Sequence, residues 1–127
     1  AEHHDRVLAM TSHIPQLIAY SIVSTATELE TNLKDEVIKY SAAGFRDFTR
    51  LAGSDPIMWR DVYSLNKDAV LEMLSKFMKD LSTLQKAIRN NDLSFLEETF
   101  RTTRKVRKTI EELGQAGSFD PRENKKK

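Results

Sequence analysis

The 127-residue sequence has no cysteine and little glycine, and each shortage removes a class of protein. Without cysteine there is no disulfide framework and no thiolate metal site, which fits a reducing cytoplasm. The glycines cannot form a dinucleotide-binding turn or a phosphate loop, because none of them follows a strand-like segment. We therefore expect this chain itself to bind no dinucleotide cofactor. The glycines are Gly44, Gly53, Gly114 and Gly117.

Histidines at metal-ligand spacing are also missing. His3 and His4 are adjacent, so on a helix they point in different directions and do not converge on one ion. We therefore expect no metal site. His13 differs from them because it lies in an uncharged stretch. Two interpretations of His13 stay open at this point: a core histidine bonded to a carbonyl, or a ligand-facing side chain.

Charged residues are balanced over the chain but absent from one long stretch. Lys and Arg total 20 against 19 Asp and Glu, which gives no general attraction to nucleic acid or membrane. No charged residue occurs between Val7 and Thr27, which raises the question of a membrane span. The polar residues of this stretch favour a helix buried by protein instead. They include Thr11, Ser12, His13, Gln16, Ser21, Ser24 and Thr25.

Apolar residues at spacings of three and four predict a first helix from Glu2 to about Glu30. Pro15 falls inside it and removes a backbone donor, so we expect a kink or local unwinding near Thr11 to His13. Such a break in a buried helix frees backbone groups beside His13. It is a natural place for a ligand.

The remainder of the chain also has helical signals. Asp55 and Pro56 suit a helix cap and the first helical position, and Asn90 to Asp92 form a turn. The predicted helices are Asp35–Ala43, interrupted by Gly44; Phe45–Ala52, with Gly53 as C-cap; a short helix from Pro56 through Val62; a long helix from Asn66 to the turn; and a last helix from Asp92, stopped by Gly114.

These patterns place the chain in the all-α class, since no alternating strand pattern or hairpin turn occurs. We expect one helical domain over residues 1–114 and a disordered tail over 115–127. The start without methionine, close to the first helix, suggests a fragment boundary. The uncharged first helix and the two long closing helices favour a bundle completed by a second chain.

The densest polar cluster beside an apolar face is the segment from Arg46 to Arg50. These two arginines lie one turn apart, and Asp47 is placed to orient the guanidinium of Arg50. The segment is either a solvated charged face or a clamp for a carboxylate. Trp59 follows among apolar residues and is either a core residue or a ligand wall.

A second basic group lies on one face of the last helix. Contact with phosphates would make it a nucleic-acid site. Acidic residues flank it and no aromatic residue interleaves it, which favours a solvated face. The basic residues are Arg101, Arg104, Lys105 and Lys108, and the acidic ones are Glu97, Glu98, Glu111 and Glu112.

Three strings occur in order along the first half of the chain. They are HDR at His4–Arg6 leading to SHIPQ at Ser12–Gln16, then GFRDFTR at Gly44–Arg50, then SDPIMWRD at Ser54–Asp61. Together they resemble the C-terminal domain of the prephenate/arogenate (cyclohexadienyl) dehydrogenase family. The matching part runs from about His4 to Lys67.

The resemblance implies a two-domain cytoplasmic enzyme of tyrosine biosynthesis. An N-terminal Rossmann domain, which this chain lacks, would bind NAD or NADP and carry the histidine base. The helical domains would intertwine as a homodimer, in a fold related to 6-phosphogluconate dehydrogenase C-terminal-like domains. Hydride transfer and loss of carbon dioxide would convert prephenate to hydroxyphenylpyruvate, or arogenate to tyrosine.

The resemblance also implies substrate-binding roles for residues of this chain. Arg50 resembles the arginine that holds a substrate carboxylate, and Asp47 resembles the acid that pairs near it. His13 matches the first histidine of the family's Ser-His-x-Pro-His string, whereas Gln16 replaces the second. Because an amide carries no charge, the choice between prephenate and arogenate stays open. Arg46 and Trp59 complete the candidate set.

Two other functions remain as alternatives. One is a stand-alone helical dimerisation or interaction module without catalysis. The other is a nucleic-acid binder that uses the last helix and the lysine tail.

Overall fold

The computed structural model describes residues 1–28, 36 and 43–116, and within these ranges all regular structure is helical. The all-α class is therefore confirmed. In chain order the elements are α1 (Glu2–Leu8), a π-helical segment (Ala9–His13), α2 (Ile14–Thr27), α3 (Ala43–Thr49), a 3₁₀ segment (Arg50–Gly53), α4 (Pro56–Leu65), α5 (Lys67–Arg89) and α6 (Leu93–Ala116).

The first helix widens at the place where the sequence predicts a break. The backbone N–H of Ile14 donates to the carbonyl of Ala9, five residues back, as in a π-helix. Pro15 has no N–H, so it cannot donate to the carbonyl of Thr11 as an α-helix would require. The helix accommodates Pro15 by forming one π-helical turn at Ala9–His13, and it then continues as α2.

This continuous helix, Glu2–Thr27, is long and apolar enough to cross a bilayer by length and composition, a test that core helices of soluble proteins also pass. Its buried residues are Ala9, Ile14, Gln16 and Ala19. Several of its large apolar side chains are more than a third exposed, so the helix carries more apolar surface than the described residues cover. They include Val7, Leu8, Met10 and Ile22.

The chain forms two compact units, Ala1–Lys79 and Asp80–Lys127. The core of the first unit lies where the widened turn meets the start of α5, around Ala9, Ile14 and Val70. Burial of these side chains is the main term that holds α5 to the first helix. The half-buried residues packed against them are Ile18, Tyr63, Ala69, Met73, Leu74 and Phe77.

Two predicted caps are present. A carboxylate oxygen of Asp55 accepts from the N–H of Ile57 at 3.0 Å, and Pro56 occupies the first turn of α4. Asp92 accepts from the N–H of Phe95 at 3.2 Å, after a turn in which Asn91 has φ 53°. Both helix starts are therefore fixed locally, as their sequences indicated.

The second unit leaves most of its apolar side chains exposed. The apolar face of the last helix is exposed in a single chain, where Ile110 is 52% exposed and Leu113 is 66% exposed. Among the described residues of this unit, the buried hydrophobic one is Ala87 on α5. The face is apolar, but the described part of this chain does not cover it. Its other exposed members include Leu93, Phe100 and Val106.

Three glycines do not act as predicted. Gly44 lies inside α3 and Gly114 lies inside α6, which continues to Ala116, so neither interrupts its helix. Gly53 ends the 3₁₀ segment without a left-handed φ, and Ser54 donates its N–H to Leu51 at 3.2 Å. A glycine costs only about 1 kcal/mol in a helix, which the neighbouring turns can offset.

Other predicted boundaries fall partly outside the described residues. The first helix ends at Thr27, before the predicted end at Glu30. The predicted helix Asp35–Ala43 lies outside the described residues except at Glu36 and Ala43, and so does the tail from residue 117 onward.

Replacing Asp55 by alanine should lower the free energy of unfolding by about 1 kcal/mol, because the N–H of Ile57 loses its acceptor. Asp61→Ala is the matched control, since Asp61 makes only an exposed ion pair with its neighbour Arg60. Urea unfolding measures both. Equal effects of the two substitutions would contradict the capping role.

Candidate functional site

One face of α2 and the widened turn carries three polar side chains that reach other elements. His13, Gln16 and Tyr20 follow one another at spacings of three and four, which places them on one side of the helix. Gln16 is buried, whereas His13 and Tyr20 are half-buried. This face connects the first helix to the 3₁₀ segment and to α4.

His13 sits among side chains from α4 and its end. Its Nδ1 atom lies 3.2 Å from Nδ2 of Asn66. The rings of Trp59 and Tyr63 stand nearly perpendicular to the imidazole, with centroids 6.0 and 6.4 Å away. The hydroxyl of Tyr63 donates to the backbone carbonyl of His13 at 2.8 Å. The backbone and the ring of His13 are thus both held.

Gln16 and Tyr20 hold the segment that carries Arg50. The amide of Gln16 donates to the carbonyl of Leu51, and the hydroxyl of Tyr20 donates to the carbonyl of Ser54 at 3.0 Å. Both bonds join a side chain of the first helix to backbone on either side of the end of the 3₁₀ segment. The position of this segment therefore depends on α2 as well as on its own sequence.

The charged candidates lie at the surface of α3 and the 3₁₀ segment. Arg46, Asp47 and Arg50 are all exposed. We predicted that Asp47 orients the guanidinium of Arg50, but no ion pair joins them in the described ranges. The α-helix ends between them, because Thr49 has ψ −1° and the chain tightens into 3₁₀ geometry from Arg50 onward. The simple i, i+3 spacing of an α-helix therefore does not apply.

Burial changes the chemistry of one group in this site. Desolvation, with a smaller effect of Tyr20, raises the pKa of Tyr63 to about 12. The hydroxyl therefore stays protonated above pH 10, where an ordinary tyrosine ionises, and remains a donor to the carbonyl of His13.

Three residues of this site were not predicted from the sequence: Tyr63, Asn66 and Tyr20. Trp59, Tyr63 and Asn66 are spaced by four and three, so they share one face of α4 and its end. That spacing was the available signal. It does not indicate which helix the face meets, and for this reason the pairing with His13 was not predicted.

The HDR string at His4–Arg6 contributes contacts between α1 and the junction of α4 and α5. Nδ2 of Asn66 lies 3.4 Å from the carbonyl of Asp5, and Arg6 forms an ion pair with Glu72 at 3.0 Å. An open groove of about 550 Å³ lies here, lined mostly by charged residues such as Glu2 and Asp5. None of the predicted site residues lines this groove.

The structure does not favour a metal site or a nucleic-acid site in the described residues. Within the residues that the structure describes, no cluster of histidine and acidic side chains could hold a metal ion. On α6, Arg101 pairs with Glu97 and Arg107 pairs with Glu111, both at 3.2 Å and one turn apart. Such exposed pairs are typical of a solvated helix face.

Comparison with known proteins identifies relatives along most of the chain. A family model described as "Prephenate dehydrogenase, dimerization domain" matches residues 1–102. Cyclohexadienyl dehydrogenase of Zymomonas mobilis is 42% identical over 107 residues, covering 84% of this chain and 36% of that protein. Prephenate dehydrogenase of Bacillus subtilis is 35% identical over 106 residues, covering 84% and 28%. This chain spans about a third of the length of such relatives.

Two solved structures share the fold. Arogenate dehydrogenase from Synechocystis superposes with a TM-score of 0.80 at 22% identity, covering 86% of this chain and 40% of that one, a likeness that shows the fold alone. Prephenate dehydrogenase from A. aeolicus, solved in complex with hydroxyphenyl propionate and NAD⁺, superposes with a TM-score of 0.79 at 38% identity, covering 86% and 38%.

The raised pKa of Tyr63 has a testable effect on stability. The folded value of about 12 exceeds the ordinary value of 10.0, so the contribution of the protonated hydroxyl is complete below pH 10 and is lost between pH 10 and 12. We expect Tyr63→Phe to make unfolding less sensitive to pH in this window. Chemical unfolding at several alkaline pH values measures this. Identical pH dependence in both proteins would contradict the assignment.

Proposed function

The chain belongs to the prephenate dehydrogenase dimerization-domain family, and from this premise we propose that it is the helical C-terminal part of an NAD(P)-dependent prephenate or arogenate dehydrogenase. The proposed reaction is the oxidative decarboxylation of one of these substrates in tyrosine biosynthesis, in the cytoplasm. The family match over residues 1–102 and the dehydrogenase relatives support it.

The residues of this chain do not fit a nicotinamide dinucleotide. In the described part there is no strand, and Gly44, Gly53 and Gly114 all lack the left-handed φ of a tight phosphate-binding turn. In the proposed enzyme, NAD or NADP and the histidine base therefore belong to an N-terminal Rossmann domain outside this chain. This chain supplies contacts to the substrate and to a second subunit.

One observation supports a substrate-binding role for this chain. The segment that bears Arg50 is hydrogen-bonded to the first helix through the backbone carbonyls of Leu51 and Ser54. Prephenate and arogenate each carry two carboxylates, so a pocket for either needs cations in fixed positions. Arg50 is exposed on a held backbone and forms no ion pair within the described ranges. We propose that it binds a substrate carboxylate, with Arg46 and Asp47 beside it.

The other candidates have different proposed roles. His13 and Trp59 form one wall of the site, since their rings are 6.0 Å apart. His13 ends the π-helical segment, and Trp59 lies on α4. Gln16 is only 2% exposed and its amide donates to Leu51. We therefore propose that Gln16 acts mainly by holding the turn of Arg50, in contrast to a charged side chain that would face the substrate.

We also propose that the chain forms a homodimer through its uncovered apolar faces. The family description names a dimerization domain. In a single chain, apolar side chains on the first helix and on α6 stay exposed, among them Val7 at 43% and Ile110 at 52%. Monomeric proteins rarely expose apolar surface of this extent, whereas dimer interfaces bury it.

Sedimentation should therefore find a dimer at micromolar concentration. Ile110→Glu should shift it toward monomer, because a charge would be buried in the interface. Lys108→Glu is the control for charge on the same helix and should leave the dimer intact. A wild-type protein that is monomeric at all concentrations would contradict the dimer.

In the complete enzyme, Arg50→Ala should lower kcat/KM for the substrate by about ten- to several-hundred-fold, because a charged hydrogen bond contributes about 1.5–3 kcal/mol. Arg50→Lys should restore activity only in part, since lysine keeps the charge but loses the planar fork. The KM for the cofactor should change little. Steady-state kinetics measures all three effects.

Arg89→Ala is the matched control, because Arg89 is an exposed arginine in the last turn of α5. Its kinetics should equal those of the wild type. If Arg50→Ala also stays within about threefold of the wild type at unchanged thermal stability, Arg50 has no substrate role, because even one such bond is worth about tenfold.

A further inference from the structure

Asn66 occupies the junction between α4 and α5, where it lies next to two groups of the first helix. It is the C-cap residue of α4, with φ −111° and ψ 33°. Its Nδ2 atom lies 3.2 Å from Nδ1 of His13 and 3.4 Å from the carbonyl oxygen of Asp5. The side chain is half-buried, so its amide is partly withdrawn from water.

The contact with Asp5 determines which way the amide of Asn66 faces. A backbone carbonyl oxygen can only accept a hydrogen bond, so the atom of Asn66 that approaches it must be the NH₂ group. That group has two N–H bonds, and its other neighbour is Nδ1 of His13. Nδ1 must therefore accept, because two donors cannot share a hydrogen bond.

An imidazole that accepts at Nδ1 carries its proton on Nε2 when it is neutral. The ring of His13 is also restrained in orientation, since Trp59 and Tyr63 stand at 77° and 84° to it. The hydroxyl of Tyr63 holds the carbonyl of the same residue. Both the tautomer and the direction of the ring are consequently set by α4 and its end.

We propose that Asn66 is a positioning residue that keeps His13 in the Nε2–H tautomer. Resting on the function proposed above, we further propose that His13 presents this N–H as a hydrogen-bond donor to an acceptor oxygen of the substrate, such as a carboxylate. In this role His13 does not accept the proton of the reaction. Its neutral donor complements the positive charge of Arg50.

The tautomer can be read directly from the complete protein with ¹⁵N-labelled histidine. At alkaline pH, where imidazole is neutral, long-range ¹H–¹⁵N correlation spectra distinguish a protonated from an unprotonated ring nitrogen. The signals of His13 are assigned by their loss in His13→Gln. We expect an unprotonated Nδ1 and a protonated Nε2. A protonated Nδ1 in the wild type would overturn the proposal, even if no variant folded.

Asn66→Asp gives the sharpest variant, because a carboxylate can only accept and so favours a proton on Nδ1 of His13. In the alkaline range used for the spectra, where imidazole is neutral, the tautomer should reverse and Nε2 should lose its proton. At the same pH the KM for the substrate should rise about ten- to a hundredfold, as expected for loss of a hydrogen bond to a charged group. The KM for the cofactor should not change. Asn90→Asp, in the exposed turn before α6, is the control for the same chemical change and should alter neither quantity.

The two measurements separate the two proposals. A reversed tautomer with an unchanged substrate KM would overturn the donor role of His13. A complete enzyme inactive on both prephenate and arogenate would overturn the proposed function, while the spectra would still decide the role of Asn66. A reversed tautomer with a raised substrate KM, and a silent Asn90→Asp, would support the whole proposal.

Discussion

The arrangement of the candidate site depends on one missing hydrogen-bond donor, the absent N–H of Pro15. The first helix must pass this residue, and it does so by widening at Ala9–His13 rather than by ending. The N–H of Ile14 then reaches back to Ala9, which keeps both halves of the helix connected. A π-helical turn of this kind often occurs at functional sites, because it redirects the side chains that it carries. Here the last residue of the turn is His13.

The widened turn also forms part of the core. Ala9 and Ile14, at its two ends, are fully buried against Val70 of α5. Packing therefore fixes the turn from one side, while Tyr63 and Asn66 hold His13 by hydrogen bonds from α4 and its end. Core packing and polar contacts therefore act on the same few residues, and together they hold the backbone and the ring of His13.

Beyond the turn, the same helix face holds the backbone that carries the charged candidates. Gln16 replaces a residue that is histidine in the family string, and its buried amide donates to Leu51. Buried amide donors need acceptors, so Gln16 and the 3₁₀ segment constrain each other. Arg50, next to Leu51, is thereby held relative to α2. The charged side chains of the site are exposed, on a backbone that buried and half-buried side chains keep in place.

Much of this fold follows from local signals in the sequence. The break before Pro15, the cap at Asp55 and the turn before Asp92 were all predicted, because each depends on the chemistry of a few neighbouring residues. Gly44 and Gly114 were misjudged, because a glycine permits a helix end without requiring it.

Contacts between different helices could not be predicted from the sequence. Helical periodicity places Tyr63 and Asn66 on one face, but it does not indicate that this face meets His13 rather than solvent. The supposed pair of Asp47 and Arg50 failed for a related reason, since the change to 3₁₀ geometry after Thr49 has no clear sequence signal. Helical periodicity also indicates an apolar face on α6, but the described part of this chain does not cover that face.

The central claim is that this chain contributes the residues that hold a substrate carboxylate, and a crystal structure of the complete enzyme tests it most directly. The ligands would be hydroxyphenyl propionate and a nicotinamide cofactor. The account predicts a carboxylate oxygen within about 3 Å of the Arg50 guanidinium, with Nε2 of His13 facing a ligand oxygen. A carboxylate bound only by residues outside this chain, with Arg50 in solvent, would contradict it.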